Sequence, residues 1–209
     1  MIATRLPRMI DRSQSRSWKT GSGAVRVWVM PGLITPSAIV AFWKEAGPDK
    51  WYRKDPAFDD RFRESCRAAH FAAARRELDA WMDSAEGALA LIILLDQYPR
   101  NSFRGAAHQF ATDPLALRFA REAEARGHLS AFAPDLRQFL VMPLMHSEAL
   151  GDQDALLPLC ADMPDTLKFA HVHRDMIVQF GRFPHRNAAL GRETTVEEQA
   201  FLDGGGFGG

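Results

Sequence analysis

Residues 87–105, GALALIILLDQYPRNSFRG, contain an eight-residue apolar run, Ala88 to Leu95, that ends in the polar cluster Asp96-Gln97-Tyr98-Pro99-Arg100-Asn101. A helix that is apolar on every side is stable only when it is buried. The run therefore predicts a central buried helix, with the polar groups at its end in or beside the core. Charged side chains rarely occupy such positions without a partner, so this end is the first candidate for a functional site.

A second segment, residues 180–192, FGRFPHRNAALGR, repeats this arrangement. The two segments align on Arg-Asn-x-x-x-Gly, which gives Arg100-Asn101…Gly105 and Arg186-Asn187…Gly191. Each follows a predicted helix end, where exposed carbonyls and the negative end of the helix dipole favour cations. The sequence therefore predicts two related arginine turns that meet inside the fold.

Helical patterns dominate from Thr35 onward, and period-two alternation is nearly absent, so the predicted class is all-α. Helix starts are predicted at Thr35-Pro36, Pro56 and Asp113-Pro114, and helix stops at Gly47-Pro48, Gly127 and Gly181. Pro99 is expected to end a helix that spans about 85–97, and Pro134, Pro143 and Pro158 to break residues 134–162 into short pieces. Thr194-Thr195-Val196-Glu197 predicts a capping box for a last short helix. Short loops favour antiparallel neighbours stacked in a single solenoid-like bundle.

The composition, 209 residues with 46% hydrophobic and 25% charged, is that of an ordinary globular protein. We expect a basic extension over residues 1–34, disordered or loosely attached, one helical domain over residues 35–203, and a flexible glycine tail over 204–209. Residues 1–30 carry six basic side chains against Asp11 alone, and the chain as a whole is neutral. The remainder is therefore acidic, which argues against a nucleic-acid partner.

The two cysteines, Cys66 and Cys160, are too few for a disulfide scaffold and have no metal-type spacing, which favours a reducing, cytoplasmic location. No apolar stretch reaches the ~20 residues that a membrane span requires, so no membrane association is expected.

Three motifs together resemble the bacterial domain-of-unknown-function family 924. They are LALIILLDQYPRNSFRG at 89–105, MPLMHSE at 142–148, and FGRFPHRNAALGR at 180–192 followed by Thr-Thr-x-Glu-Glu. The resemblance covers about residues 36–203. It implies a tetratricopeptide-like all-helical fold and a polar motif set, but it names no substrate.

The motif arginines outnumber the acidic residues within the same motifs, which predicts a receptor for a carboxylate or phosphate. The predicted ligand-binding residues are Asp96, Arg100, Asn101, Arg104, Arg182, Arg186, Asn187 and Arg192. In the competing structural interpretation, the arginines bind helix-end carbonyls, the asparagines cap the following helices, and Asp96 is an ion-pair partner.

Four residues are candidates for acid–base chemistry: His146, Glu148, His173 and His185. His173 shares a predicted helix face with Phe169, Met176, Ile177 and Phe180 and is expected to face the core, whereas His171 is expected to face solvent. A structural core histidine is the alternative for His173. No metal-binding motif is present, and we expect neither a metal site nor another cofactor.

Two functions remain open at this stage. The first is a polar pocket that binds a small anionic metabolite, with acid–base catalysis as an option. The second is a tetratricopeptide-like scaffold, in which the motif residues lock helix ends together and a groove binds a protein partner or a second copy.

Overall fold

The computed structural model describes residues 33–206. Over this range the chain forms helices joined by short turns, with no β-strand, which confirms the all-α class. The predicted basic extension lies outside the described residues except for its last two positions. Of the predicted glycine tail, Gly204, Gly205 and Gly206 are described, and each donates a backbone hydrogen bond to the last helix.

The α-helices are α1 (Pro36–Ala46), α2 (Pro48–Trp51), α3 (Pro56–Ala74), α4 (Ala85–Ile92), α5 (Tyr98–Ser102), α6 (Asp113–Ala125), α7 (Pro134–Met145), α8 (Leu150–Leu159), α9 (Pro164–Phe180), α10 (Asn187–Leu190) and α11 (Val196–Asp203). A π-helical turn, Ile93–Gln97, joins α4 to α5. Short 3-10 turns occupy Asp79–Asp83, Ala107–Phe110, His128–Ala131 and Pro184–Arg186.

Local signals set most of these boundaries. The Thr35 side chain accepts the N–H of Ala38 at the start of α1, and Pro36 takes the first helical position, as predicted. Gly181 ends α9 with a φ of 69°, a left-handed conformation that glycine adopts without strain. The capping box at α11 is real but is displaced by one residue, since it pairs Thr195 with Glu198.

Helix α4 lies at the centre of the core and packs against α1, α6 and α7. Every side chain from Ala88 to Leu95 is fully buried, which confirms the central helix that the apolar run predicted. Aromatic side chains form the layer beneath α1, where the ring of Trp43 contacts Phe62 and meets Phe139 edge-on at a centroid distance of 5.2 Å. The core therefore fixes the position of the polar residues that follow Leu95.

The prediction that this helix ends before Pro99 is wrong, because the chain continues as a helix to Ser102. The N–H of Tyr98 reaches back to the carbonyl of Ile93 in the π turn. Pro99 has no N–H to donate, yet the Leu94 and Leu95 carbonyls are satisfied by other side chains: His70 Nδ1 donates to Leu94 at 2.8 Å, and the Thr112 hydroxyl donates to Leu95. Tertiary contacts thus replace the hydrogen bonds that a proline removes.

Pro143 and Pro158 also lie inside helices, α7 and α8, rather than between them. Both fall in the last turn, so the breaks come a few residues later, at residues 146–149 and 160–163. Successive helices α6 to α9 pack on one another in order. The tetratricopeptide-like stacking and the solenoid remain predictions. No helix among residues 33–206 is both long enough and apolar enough to span a bilayer.

Candidate functional site

The two arginine turns meet at one carboxylate. Arg100 donates from Nη1 and Nη2 to the two oxygens of Asp113, at 2.8 and 3.0 Å, and Arg186 donates from Nη1 to Asp113 at 3.3 Å. Asp113 is the first residue of α6, and the sequence indicated only that a helix begins there. The convergence of Arg100 and Arg186 was predicted, but the acid that joins them was missed.

The motif asparagines hold the two turns in place. Asn101 donates to Asp59 at 2.7 Å, and Asp59 also receives a bidentate pair from Arg104 at 3.0 and 3.2 Å. The second turn repeats this pattern with another carboxylate. Asn187 donates to Glu198 at 3.0 Å, and Glu198 also receives Arg182 at 2.6 and 2.8 Å. The interpretation of these asparagines as N-caps is therefore wrong, because each binds a buried carboxylate instead.

Asp59 and Arg63 are four residues apart on α3, a spacing that favours an ion pair on the helix surface. Arg63 pairs with Asp60 instead, at 2.7 Å, and Asp59 is buried. Because Asp59 is buried, its carboxylate binds Asn101 and Arg104 at the end of α5. No local sequence pattern in α3 indicates these partners, because both are distant along the chain.

Asp96, which is buried, and His146, which is partly buried, form a carboxylate–histidine dyad. His146 Nδ1 lies 2.7 Å from one oxygen of Asp96, and Gln97 donates to the other at 2.6 Å. Arg100 also approaches Asp96, with Nη1 at 3.2 Å from the carboxylate. Burial alone would raise the pKa of Asp96, but Arg100 and His146 outweigh it and hold the pKa below its ordinary value. Burial and the neighbouring Arg100 lower the pKa of His146, so at neutral pH it is the uncharged partner.

Because the Asp96 carboxylate only accepts hydrogen bonds, the proton of neutral His146 must lie on Nδ1. The lone pair is then on Nε2, the ring nitrogen that does not face Asp96. We refer to Asp96, Arg100, Asp113, His146 and Arg186 together as the inner cluster.

His173 and His185 border the inner cluster. The His173 ring lies 6.4 Å from that of His146 and meets Phe183 edge-on at 5.5 Å, and Phe183 lies 5.6 Å from His185. Burial, reinforced by nearby cationic and histidine side chains, lowers the pKa of His173 and of His185 to about 4 each. Both rings are therefore uncharged at neutral pH.

The predicted orientation of α9 is confirmed for its histidines, since His173 is buried and His171 is exposed. It is wrong for Phe169, which is 49% exposed. The Phe169 carbonyl accepts from His173 Nδ1 at 2.8 Å, so the backbone of this residue rather than its ring supports the site.

Glu148 is held as an anchor of the second turn. It receives a bidentate pair from Arg192, at 2.8 Å for both contacts, and the backbone N–H of Phe183 at 2.9 Å. Burial raises the pKa of Glu148, but the bonds from Arg192 and Phe183 outweigh it, and the pKa is lowered overall. Such a carboxylate is a weak base, so its geometry gives less support to an acid–base role than that of His146 does.

Of the five arginines that were predicted to bind a ligand, Arg186 alone has no carboxylate of its own. Arg104, Arg182 and Arg192 each bind a carboxylate of their own, and Arg100 binds both Asp96 and Asp113. Arg186 has only its share of Asp113. It is 6% exposed, and its Nε–H is buried with no acceptor.

Arg186 packs against two aromatic rings, whereas Arg104, Arg182 and Arg192 bind carboxylates. Its guanidinium carbon lies over the rings of Phe110 and Phe183, at 4.7 and 4.5 Å from their centroids. Burial, and then repulsion from Arg100, lower the pKa of Arg186 to about 10 despite the attraction of Asp113. Arg186 thus has no carboxylate of its own and shares Asp113 with Arg100.

Within residues 33–206 no group of three or more His, Cys, Asp or Glu side chains could hold a metal ion. An open surface depression lies beside the Arg182–Glu198 pair and is lined by Gln179, Phe180, Arg182, Thr195, Glu197 and Glu198. None of the three site histidines lines it.

The chain matches, over residues 39–206, the family described as bacterial protein of unknown function (DUF924). It is also similar to a solved structure, the protein of unknown function ATU0120 from Agrobacterium tumefaciens. The two are 54% identical, the match covers 81% of this chain and 97% of that one, and the TM-score is 0.79. No curated protein matches the chain.

Proposed function

The chain belongs to the DUF924 family of bacterial proteins of unknown function, so we propose a function from the geometry of the site. The protein binds a small anionic ligand at Arg186, and His146, oriented by Asp96, moves a proton to or from that ligand. The observation that carries this proposal is the buried Nε–H of Arg186, which has no acceptor among the described residues. A buried donor without an acceptor costs about 1–3 kcal/mol, and an anion bound there would recover it.

The dyad supports the proton-transfer part of the proposal. A histidine that donates from one ring nitrogen to a carboxylate has a fixed tautomer and orientation, and its other nitrogen is a base. His146 has this arrangement, with Nδ1 on Asp96. It belongs to the same hydrogen-bonded cluster as Arg186, through Asp113 and Arg100.

Solvent reaches the inner cluster, as ligand entry requires. The side chains of Arg100, Asp113 and His146 are 14%, 16% and 13% exposed. The site is therefore mostly dry, which strengthens charge interactions, without being sealed from small molecules.

Thermal unfolding in the presence of small carboxylates, phosphates and sulfate tests the proposal. A ligand at 100 times its dissociation constant should stabilise the folded protein by roughly 2.7 kcal/mol. Arg186→Gln should abolish that shift, whereas Arg126→Gln should retain it, because Arg126 is a 42% exposed arginine paired with Glu122 and Asp83. No shift with any of these anions, or an equal shift in Arg186→Gln, would contradict anion binding at this residue.

A second candidate function is a tetratricopeptide-like interaction scaffold. It is favoured by exposed apolar side chains on neighbouring helices: Leu150 on α8 is 40% exposed, and Phe169 and Val172 on α9 are 49% and 37% exposed. A protein partner or a second copy of the chain would bury them. Sedimentation velocity of the wild type and of Phe169→Ser tests self-association, and a monomer at all concentrations would exclude the second copy.

We also propose a cytoplasmic location. Cys66 and Cys160 are both buried free thiols, as is usual in a reducing compartment. Localisation of a tagged full-length chain in a bacterial host, by cell fractionation, tests this.

A further inference from the structure

Resting on the proposed function, the geometry points to the carboxylate of a small apolar acid, rather than a phosphate, as the anion that binds Arg186. Three features of the site bear on this choice: the hydrogen-bonding edge that Arg186 offers, the charge already present in the inner cluster, and the chemistry of the surrounding side chains.

The available edge of Arg186 is the one formed by Nε and Nη2. Nη1 is engaged with Asp113, and Nε has no acceptor among residues 33–206. The N–H bonds of Nε and Nη2 are parallel and lie in the guanidinium plane, so a group with two oxygens accepts both at once. A carboxylate and a phosphate both satisfy this requirement, so charge and surroundings must decide between them.

The charge of the inner cluster favours a monoanion. Its two guanidinium groups, Arg100 and Arg186, are balanced by the two carboxylates of Asp96 and Asp113. A bound carboxylate would leave one net negative charge in this mostly buried place, whereas a phosphate dianion would leave two. Because uncompensated buried charge is costly, the second charge weakens binding.

The surroundings favour an apolar body on the ligand. Phe110 and Phe183 both lie against the guanidinium of Arg186. An aliphatic or aromatic group attached to the bound carboxylate would contact these rings, and each methylene that becomes buried should improve the affinity about fourfold. A phosphate would lose its hydration shell against the same rings with no such gain.

Isothermal titration calorimetry at constant pH and ionic strength tests the inference with acetate, propionate and butyrate against inorganic phosphate and methyl phosphate. The dissociation constant should fall along the carboxylate series, and butyrate should bind at least about tenfold more tightly than either phosphate. A phosphate that binds as tightly as butyrate would overturn the carboxylate inference and leave the proposed function intact. If none of the five probes binds, both the carboxylate inference and the proposed anion binding at Arg186 are refuted.

Two variants test the contacts directly. Arg186→Lys keeps the charge and loses the two parallel donors, so butyrate affinity should fall at least about tenfold, whereas Arg126→Lys should bind as the wild type does. Unchanged butyrate binding in Arg186→Lys would refute bidentate recognition. Phe110→Ala removes a half-buried ring, and it provides a second test if Arg186→Lys does not fold. It should reduce the gain from acetate to butyrate, and an unchanged gain would exclude the proposed apolar wall.

Discussion

Replacing Arg186 by methionine should lower the free energy of unfolding much less than replacing Arg100 does. Methionine is apolar and has a similar length, so each substitution removes charge and hydrogen bonds with a small change in packing. After Arg186→Met, Asp113 still receives two hydrogen bonds from Arg100. After Arg100→Met, Asp96 loses its arginine, and Asp113 retains only the single 3.3 Å bond from Arg186.

The magnitudes follow from these contacts. Arg186→Met loses one long hydrogen bond and its contacts with two phenylalanine rings, and it removes a buried charge, an unpaired Nε–H and the repulsion from Arg100. Because Asp113 keeps both hydrogen bonds from Arg100, we expect Arg186→Met to lower the free energy of unfolding by about 1 kcal/mol or less. Arg100→Met removes the arginine that binds both the buried Asp96 and the partly buried Asp113, and it should cost about 3–5 kcal/mol.

Urea unfolding monitored by circular dichroism measures both changes, and the same Arg186→Met protein should no longer bind butyrate. Arg126→Met is the matched control at an exposed arginine and should lie within about 0.5 kcal/mol of the wild type. If Arg186→Met costs as much as Arg100→Met, Arg186 is a structural ion-pair partner, and the reasoning that assigns it to a ligand is refuted.

The remaining predictions concern the core, the turn anchor and the histidines. Leu91→Ala, at a fully buried position in α4, should lower the free energy of unfolding by about 2–5 kcal/mol in urea; a loss below about 1 kcal/mol would contradict a central α4. Asn187→Ala should cost about 1–3 kcal/mol in the same assay, because it removes a buried hydrogen bond to Glu198, and no loss would mean that the turn is held by other contacts. His173 has a pKa of about 4 in the folded protein against an ordinary value of 6.5, so the unfolded chain binds more protons between these two values. The free energy of unfolding should therefore fall by about 2 kcal/mol as the pH is lowered from 7 to 5. His173→Gln should flatten this part of the pH profile, and an unaltered slope would contradict the lowered pKa. Nitrogen NMR of His146 at neutral pH should find the proton on Nδ1, and a proton on Nε2 would exclude the proposed base.

The sequence predicted those parts of the fold that depend on neighbours along the chain. Thr35-Pro36 and Gly181 act within a single turn of helix, and the apolar run from Ala88 to Leu95 requires burial whatever surrounds it. Pro99 was misjudged because its effect depends on residues distant in sequence. The carbonyls that it leaves free are bonded by His70 and Thr112, and nothing near Pro99 indicates that they are there.

The candidate site was predicted to a similar extent. Repetition of Arg-Asn-x-x-x-Gly indicated two related turns, and the structure joins Arg100 and Arg186 at one acid. The number of acids was underestimated because Asp59 and Asp113 lie outside the motifs, on α3 and at the start of α6. A comparison of charges within a motif cannot include partners that only the tertiary fold supplies, and it therefore overstated the positive charge.

The difference between the two turns gives more information than their similarity. Asn101 and Asn187 have equivalent roles, since each ties its turn to a carboxylate that an arginine also binds. If both turns served stability alone, Arg100 and Arg186 should be equally well paired, because a half-satisfied buried network is worse than an apolar one. Arg100 is fully paired, whereas Arg186 retains an unpaired buried donor against two phenylalanine rings. One incompletely paired arginine in two otherwise similar turns is the arrangement expected if the turns provide the structure and Arg186 binds a ligand.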